Sequence, residues 1–525
     1  MTIHKAIHKL RTDAKLSQEQ FAALFSVSQQ SVQKWENGDS VPDLSKIIKI
    51  AKHFGVSLDA LILGNHNRIV EEMKGTAQIK PQYVNIHDWE FYSSNLLTEY
   101  EQSIEEGLDI EAYRDVFSSI SRLPKGETKK QLGDVLFQVV ANAKQKEGYV
   151  FTEPSDWESI QELCIPHVYQ KTNTVDIKDQ IHGAWMGRVC GCMLGKTVEG
   201  ILTTELIPFL KETGNFPMHR YILKSDLTEE ILQKYRYHFA AAPYADTIHG
   251  MPIDDDTNYT VLYQDMVSYY GKDFTPFDVS RAWLNLQAKD AYCTAERVAF
   301  CNFVKGYTPP HSAMYKNPYR EWIGAQIRAD YFGYINPGNP NLAAQMAWRD
   351  ACISHTKNGI YGEMFVAAML AVASQTQNTQ EIIRGGLAQI PHTSRLYKEV
   401  TEDLEAYKKG TTQEEWFNTF YQQYDENNPH HWCHTISNAR IVVASLLYGN
   451  GDFARSICMA VQAGFDTDCN GATVGSIIGM AKGIDAIPKI WQEPFHNTLH
   501  TSIFKVGTVE ISKCVEKTLE HIYEK

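Results

Sequence analysis

Long apolar runs are missing from this 525-residue chain. No stretch of about 18 apolar residues occurs, so no helix is expected to cross a membrane. The opening residues, MTIHKAIHKLRTDAK, hold no apolar run followed by a small-residue cleavage site, which argues against a signal peptide. Paired cysteines are missing too. The ten cysteines are scattered with no CxxC pair, which argues against a zinc ribbon and a disulfide framework. A reducing cytoplasm is the expected setting. Low-complexity tracts are absent. Positive charge is in short supply: 50 Lys and Arg face 63 Asp and Glu, a net −13. The shortage is uneven. Residues 1–65 carry eight Lys/Arg against six Asp/Glu, a net +2, which leaves −15 for the rest. That asymmetry suggests two modules with different partners. Roughly two to four domains are expected at this length.

The shortage is sharpest around IDDDTN, residues 253–258. Asp254, Asp255 and Asp256 repel one another, and no Lys or Arg lies within eight residues on either side. Two readings remain: a solvated loop in which water and salt screen the charges, or a bound cation.

The N-terminal 65 residues have the punctuation of short helices. Ser17 with Gln20 makes a capping-box start, and the helix after it is expected to bury Phe21, Ala22 and Leu24. Ser28 is a second N-cap. The next helix sets Val32 and Trp35 on one face and ends at Asn37-Gly38. Pro42-Asp43 opens another, with Ile47, Ile48 and Ala51 inward. The stretch LSQEQFAALFSVSQQSVQKWENGDSVPDLSKIIKIAKHFGVSLDALI resembles the phage-repressor-like helix-turn-helix family, with Ser26 where that family usually has Gly in the turn. The resemblance implies that Gln29, Gln30, Ser31, Gln33 and Lys34 face double-stranded DNA. Gln can pair bidentately with adenine, and Lys can reach guanine or phosphate. One such module binds weakly, so a homodimer is expected. The alternative is a small interaction module with a solvated polar face.

Residues 66–81 read as a linker. Residues 82–170 read as a helical scaffold without a catalytic constellation. From residue 178 glycines recur every four residues: Gly183, Gly187, Gly191 and Gly195, then Gly471, Gly475, Gly479 and Gly483. Each costs about 0.5–1 kcal/mol in a helix relative to Ala. Residues four apart share a helix face, so such a stripe is a groove for another helix or a ligand. Arg188, Lys196 and Lys482 interrupt both segments, which argues against membrane spans. A tightly packed helical core is the expectation. Glu199-Gly200 ends the first stripe; GFDTDCN, with Asp466 and Asp468, opens the second. Hard divalent cations take several oxygen ligands, and these two acid groups have the oxygen chemistry of magnesium or manganese and not the spacing of zinc. DTDCNG matches the start of an EF-hand loop, but Ile477 stands where that loop needs Glu.

GRVCGCMLGKTVEG, DDDTNYT, SHTKNGIYGEM and GFDTDCNGATVGSIIG, in this order, resemble the ADP-ribosylglycohydrolase family over residues 175–485. The resemblance implies an all-α chain: a small five-helix DNA-binding domain (1–65), a linker (66–81), a helical lead-in (82–170) and a large orthogonal helical catalytic domain (171–525). It implies two Mg2+ ions, with Mn2+ an alternative, held by Asp254, Asp255, Asp256, Asp466 and Asp468, and weakly by Cys469. Glu199, Asp255 or Asp466 would act as acid or base. Asp254 and Cys469 each stand where the family usually has a Thr ligand. The implied reaction is hydrolysis of the glycosidic bond of an ADP-ribose conjugate, either a small molecule or an ADP-ribosylated target. A regulator that senses ADP-ribose without turnover is the alternative. Gly324, Gln326, Arg328 and Asp330 would line the substrate cleft, although Arg328 and Asp330 read equally as a structural ion pair. Ser354, His355, Asn358, Gly359 and Tyr361 would touch the diphosphate or adenine. PHHWCH (429–434) has the residues of a zinc cluster but no standard spacing, and is read as structural.

Overall fold

The computed structural model describes residues 3–62, 83 and 86–524. The expected linker 66–81 lies outside the described residues. The chain divides into two compact units, 1–82 and 83–525.

The first unit holds α1 (Ile3–Asp13), α2 (Gln18–Leu24), α3 (Gln29–Asn37), α4 (Leu44–Phe54) and α5 (Leu58–Ile62). Ser17 and Gln20 close a reciprocal capping box on α2, Ser28 caps α3, and Gly38 ends α3 in the left-handed region at φ +85°. The turn between α2 and α3 is made by Ser26 at φ +54°, a conformation that strains a residue with a Cβ. Ile7, Phe21, Val32, Trp35, Ile50 and Leu61 form the core. Two expectations fail locally. Leu24 is 47% exposed, because Phe21, Ala22 and Phe25 already fill the inner face. Ile50 replaces Ile48 in the core, because a helix that starts after the Asp43 cap turns residues 47, 50 and 51 inward.

The second unit is helical. Among the described residues it has one two-stranded antiparallel pair, Thr498–His500 with Thr508–Glu510. No helix of the described residues is long and apolar enough to cross a membrane. The lead-in helices Leu96–Glu105, Arg114–Ser121 and Glu127–Ala141 share a small core around Leu96, Phe117, Ile120 and Leu136. Buried ion pairs from Arg320 to Glu99 (2.8 Å) and Glu106 (2.6 Å) join them to the larger body. At the centre of that body, helix Asn358–Ala373 is buried on every side, as an α-helix with no polar face must be.

The glycine stripes find each other. Helix Ile177–Lys196 runs antiparallel to helix Thr467–Lys482, and a methyl on Gly187 or Gly191 would overlap the carbonyl oxygen of Gly475 or Gly471. Backbone meets backbone, so no side chain fits the seam. Gly195 faces Thr467, whose hydroxyl donates to the Gly195 carbonyl at 2.9 Å. Gly183 packs on the backbone of Gly479 and Gly483, and Gly483 ends the second helix at φ +80°.

Candidate functional site

This seam fixes where the acids go. Asp466 and Asp468 sit at the N-terminus of the second glycine helix, where Asn438 accepts the Asp466 N–H at 3.2 Å and the Asn470 amide at 2.8 Å. Asp255 and Asp256 open helix Asp255–Tyr270, and Asp254 is its N-cap. Two helix N-termini therefore aim acids at one place, the end of a helix that favours negative charge. Carboxylate oxygens of Asp254, Asp255, Asp256 and Asp468 lie within 4.8 Å of one another, and so do ligand atoms of Asp256, Asp468 and Cys469.

The positive charge missing from the local sequence comes from the first glycine helix. Arg188, Cys192 and Lys196, four apart, form a face beside the glycine stripe. Arg188 reaches Asp256 Oδ1 (3.0 Å), the Asp256 carbonyl (2.8 Å) and Asp330 Oδ2 (2.8 Å), and is fully buried. Lys196 Nζ lies 2.7 Å from Asp254 Oδ2. The other Asp254 oxygen accepts the Asp256 N–H at 3.0 Å. The expected role of Asp254 as a metal ligand thus meets a carboxylate whose two oxygens are both engaged. Cys469 is buried, and burial with Asp256, Asp466 and Asp468 around it lifts its thiol well above the usual range. Its Sγ lies within 4.8 Å of ligand atoms of Asp256 and Asp468, and a neutral thiol is a poor ligand for a hard cation.

Free ligand atoms remain. Asp256 Oδ2 and Asp468 Oδ1 are buried with no hydrogen-bond partner. Leaving a buried anionic oxygen unpaired is costly, and a hard divalent cation fits these carboxylate oxygens, with no histidine grouped beside them among the described residues. Burial first, then like charge, lifts Asp255, Asp256 and Asp468 well above the carboxylate range. Burial lifts Asp466 to about 6, against hydrogen bonds with Asp468 and Cys469 that lower it. Glu199 stands at the rim. The surrounding protein, then Asp466 and Asp254, raise it to about 7, and Lys196 pulls the other way. A cleft of about 870 Å³ opens beside Lys196 and Glu199, walled by Arg236, Tyr237 and His238.

The residues expected to contact substrate lie deeper. Arg328 is fully buried and pairs with Asp350 (2.6 Å) and Glu296 (2.8 Å), while Asp330 pairs with Arg188; the two are not each other's partners. Gly324 leaves room for Glu296, since a methyl there would strike that carboxylate. Gln326 and Tyr361 are buried. Ser354 accepts from Arg328 (3.1 Å) and bonds His355 Nδ1 (2.8 Å), and both are buried. Burial and Arg328 hold His355 well below its usual pKa. Gly359 packs on the Arg320 carbonyl, and Asn358 bonds Glu321. Arg328, Asp330, Ser354 and Asn358 are already paired, whereas both amide atoms of Gln326 and Nε2 of His355 are buried without a hydrogen-bond partner.

The PHHWCH segment meets the lead-in helix. His430 Nε2 lies 3.3 Å from Glu105, His431 Nε2 3.6 Å from Glu101, and His434 Nε2 3.6 Å from both Glu105 and Glu321. The spacing suits a metal, but each Nδ1 accepts from a group that can only donate: the Trp322 indole, the Asp425 N–H and the Ile436 N–H. A neutral ring so held keeps its proton on Nε2 and has no lone pair there for a metal. Local spacing does not signal this docking, because Glu101 and Glu105 lie more than three hundred residues from the histidines.

In the first unit Gln29, Gln30, Gln33 and Lys34 are exposed on α3. Ser31 is half-buried, and its hydroxyl bonds the capping Ser28 hydroxyl at 2.9 Å, so it serves the helix start.

The helix-turn-helix family profile matches residues 7–61, and the ADP-ribosylglycohydrolase profile matches residues 173–521. The HTH-type transcriptional activator BcrR of Enterococcus faecalis is 31% identical over 87 residues, 17% of this chain and 43% of that protein. This chain therefore spans less than half the length of that relative. Among solved structures, a chain of an ADP-ribosylglycohydrolase-related protein complex aligns with 18% identity and a TM-score of 0.42, covering 66% of this chain and 98% of that one. With a profile match over most of its length and the paired acid motifs in place, this chain belongs to the ADP-ribosylglycohydrolase family.

Proposed function

We propose that the second unit is a metal-dependent glycohydrolase acting on an ADP-ribose conjugate, and that the first unit binds double-stranded DNA through Gln29, Gln30, Gln33 and Lys34. The observation that carries the first half is the pair of buried, partnerless carboxylate oxygens on Asp256 and Asp468, beside a glutamate whose pKa suits proton transfer near neutrality.

Asp255, Asp256, Asp466 and Asp468 would hold a divalent cation, Mg2+ or Mn2+. Held by these carboxylates, such an ion would supply Lewis-acid activation of a water. The rest falls to the chain itself. Glycosidic cleavage passes through an oxocarbenium-like state, and the carboxylates stabilise its positive charge. Glu199, which burial and then Asp466 and Asp254 raise to about 7 in the metal-free chain, would give a proton to the departing acceptor atom and then take one from the attacking water. Asp255 and Asp466 are the alternatives for that role. Arg188 fixes the Asp256 carboxylate, so the acid cluster cannot relax away from the substrate.

A second reading rests on the helix-turn-helix unit: the same pocket serves as a sensor, and ADP-ribose binding alters DNA affinity without turnover. The test is incubation of the purified chain with mono-ADP-ribosylated arginine and serine peptides and with ADP-ribose-1″-phosphate. Released ADP-ribose in Mg2+ but not in chelator supports the enzyme. No release from a folded, metal-bound protein, together with ADP-ribose-dependent release from DNA, supports the sensor.

A further inference from the structure

We propose that Lys196 is a built-in cation of the acid site, so that the chain binds one divalent ion there and not two. The inference rests on the metal reading above and specifies it.

Three observations carry it. First, the Lys196 ammonium is anchored. Its helix is locked to helix Thr467–Lys482 by backbone contact, and the neighbouring Gly195 packs on the backbone of Thr467 and Asp468. Lys196 therefore projects into the cluster from a backbone with no freedom to retreat. Second, it uses up Asp254. Nζ lies 2.7 Å from Oδ2, the side chain of Asp254 is 1% exposed, and Oδ1 is committed to the Asp256 N–H. A dication bound to Asp254 would have to share an oxygen with an ammonium, against like-charge repulsion at a carboxylate that is itself buried. Third, the partnerless oxygens point to one ion position. They are Asp256 Oδ2 and Asp468 Oδ1, while Arg188 holds the other oxygen of Asp256. Cys192 and Cys469, the thiols within ligand distance of these carboxylates, offer soft sulfur that suits a hard cation poorly, while Asp255 lies in the same group as Asp256 and Asp468 and can complete one site.

Asp254 and Lys196 then form a compensated pair. The extra carboxylate brings its own cation, and the net charge offered to metal at that end of the site is zero. Arg188, two turns away on the same face, bridges Asp256 and Asp330 and leaves one negative charge of those two uncompensated.

The test counts ions. Metal-stripped full-length protein is dialysed against Mn2+, bound manganese is measured per chain, and the EPR spectrum is recorded. The expected result is one Mn2+ per chain with the six-line signal of an isolated ion. Lys196→Gln, which removes the charge, should take up a second Mn2+ and show a spin-coupled spectrum; Lys196→Arg, which keeps the charge, should stay at one. Two coupled ions in the unsubstituted chain would overturn the inference and leave the metal reading intact. No bound ion would overturn both. A Lys196→Gln protein that folds and still binds one ion would show that Lys196 does not set the count. If that variant does not fold, the count in the unsubstituted chain decides alone.

Discussion

Arg188 does more than any other single side chain to hold the site. It is fully buried, and it satisfies a carboxylate and a carbonyl of Asp256, the Asp330 carboxylate, and the Ile327 carbonyl at 2.5 Å. Removing one partner of a buried ion pair leaves the other charge uncompensated. Arg188→Met should therefore destabilise the second unit by roughly 3–5 kcal/mol, read as a fall in its thermal unfolding midpoint. An unchanged midpoint would mean that Asp256 and Asp330 find other partners. The acids themselves were legible in sequence, because DDD and DTD are short runs whose mutual repulsion is visible without a fold. Their counter-charges were not. Arg188 and Lys196 lie about sixty residues upstream, and only the folded helix face, offset by one residue from the glycine stripe, brings them to the acids. Arg328 was legible as part of an ion pair, but its partners Asp350 and Glu296 were not, since nothing in local spacing selects them over Asp330.

At the scale of helices, the glycine spacing carried its meaning openly. Four-residue periodicity implies one face, and two such faces in a chain imply close packing. What periodicity could not show is that the two stripes pack on each other, Gly187 against Gly475 and Gly191 against Gly471. A methyl at this seam meets backbone, which cannot rotate aside. Gly191→Ala should cost at least the roughly 1–3 kcal/mol of ordinary overpacking, and should also weaken metal binding, because the helices that separate carry Lys196 on one side and Asp468 on the other. Differential scanning calorimetry and Mn2+ titration check both parts. A variant as stable as the original protein would contradict the backbone-on-backbone seam. In the first unit the caps at Ser17, Ser28 and Asp43 were readable residue by residue, as was the α3 surface. Of the inward residues of α4, Ile47 and Ala51 were read correctly and Ile48 was taken for Ile50, because these isoleucines differ in burial only through helix phase.

For the whole molecule, the acid site is a cost to folding that a bound cation would remove. Glu199 moves from an ordinary 4.5 to about 7 in the fold, and Asp466 from 3.8 to about 6. A carboxyl whose pKa is raised on folding binds more protons folded than unfolded, so its contribution to stability is present below the unfolded value and is lost as pH rises through the folded one. The metal-free protein should lose stability between about pH 4.5 and 7. Glu199→Gln should flatten the upper part of that fall, and saturating Mg2+ should oppose it; a melting temperature that rises over this range without metal would contradict the assignment. The central claim is that the paired acid motifs make a metal-dependent glycohydrolase on a chain that also binds DNA. One measurement tests it most directly: ADP-ribose released from ADP-ribosylated arginine and serine peptides and from ADP-ribose-1″-phosphate by the intact chain and by Asp466→Asn/Asp468→Asn, each with Mg2+ and with chelator. The account predicts release by the unsubstituted chain in Mg2+ alone, and none by the folded double variant. Equal release with chelator, or by the double variant, would contradict it.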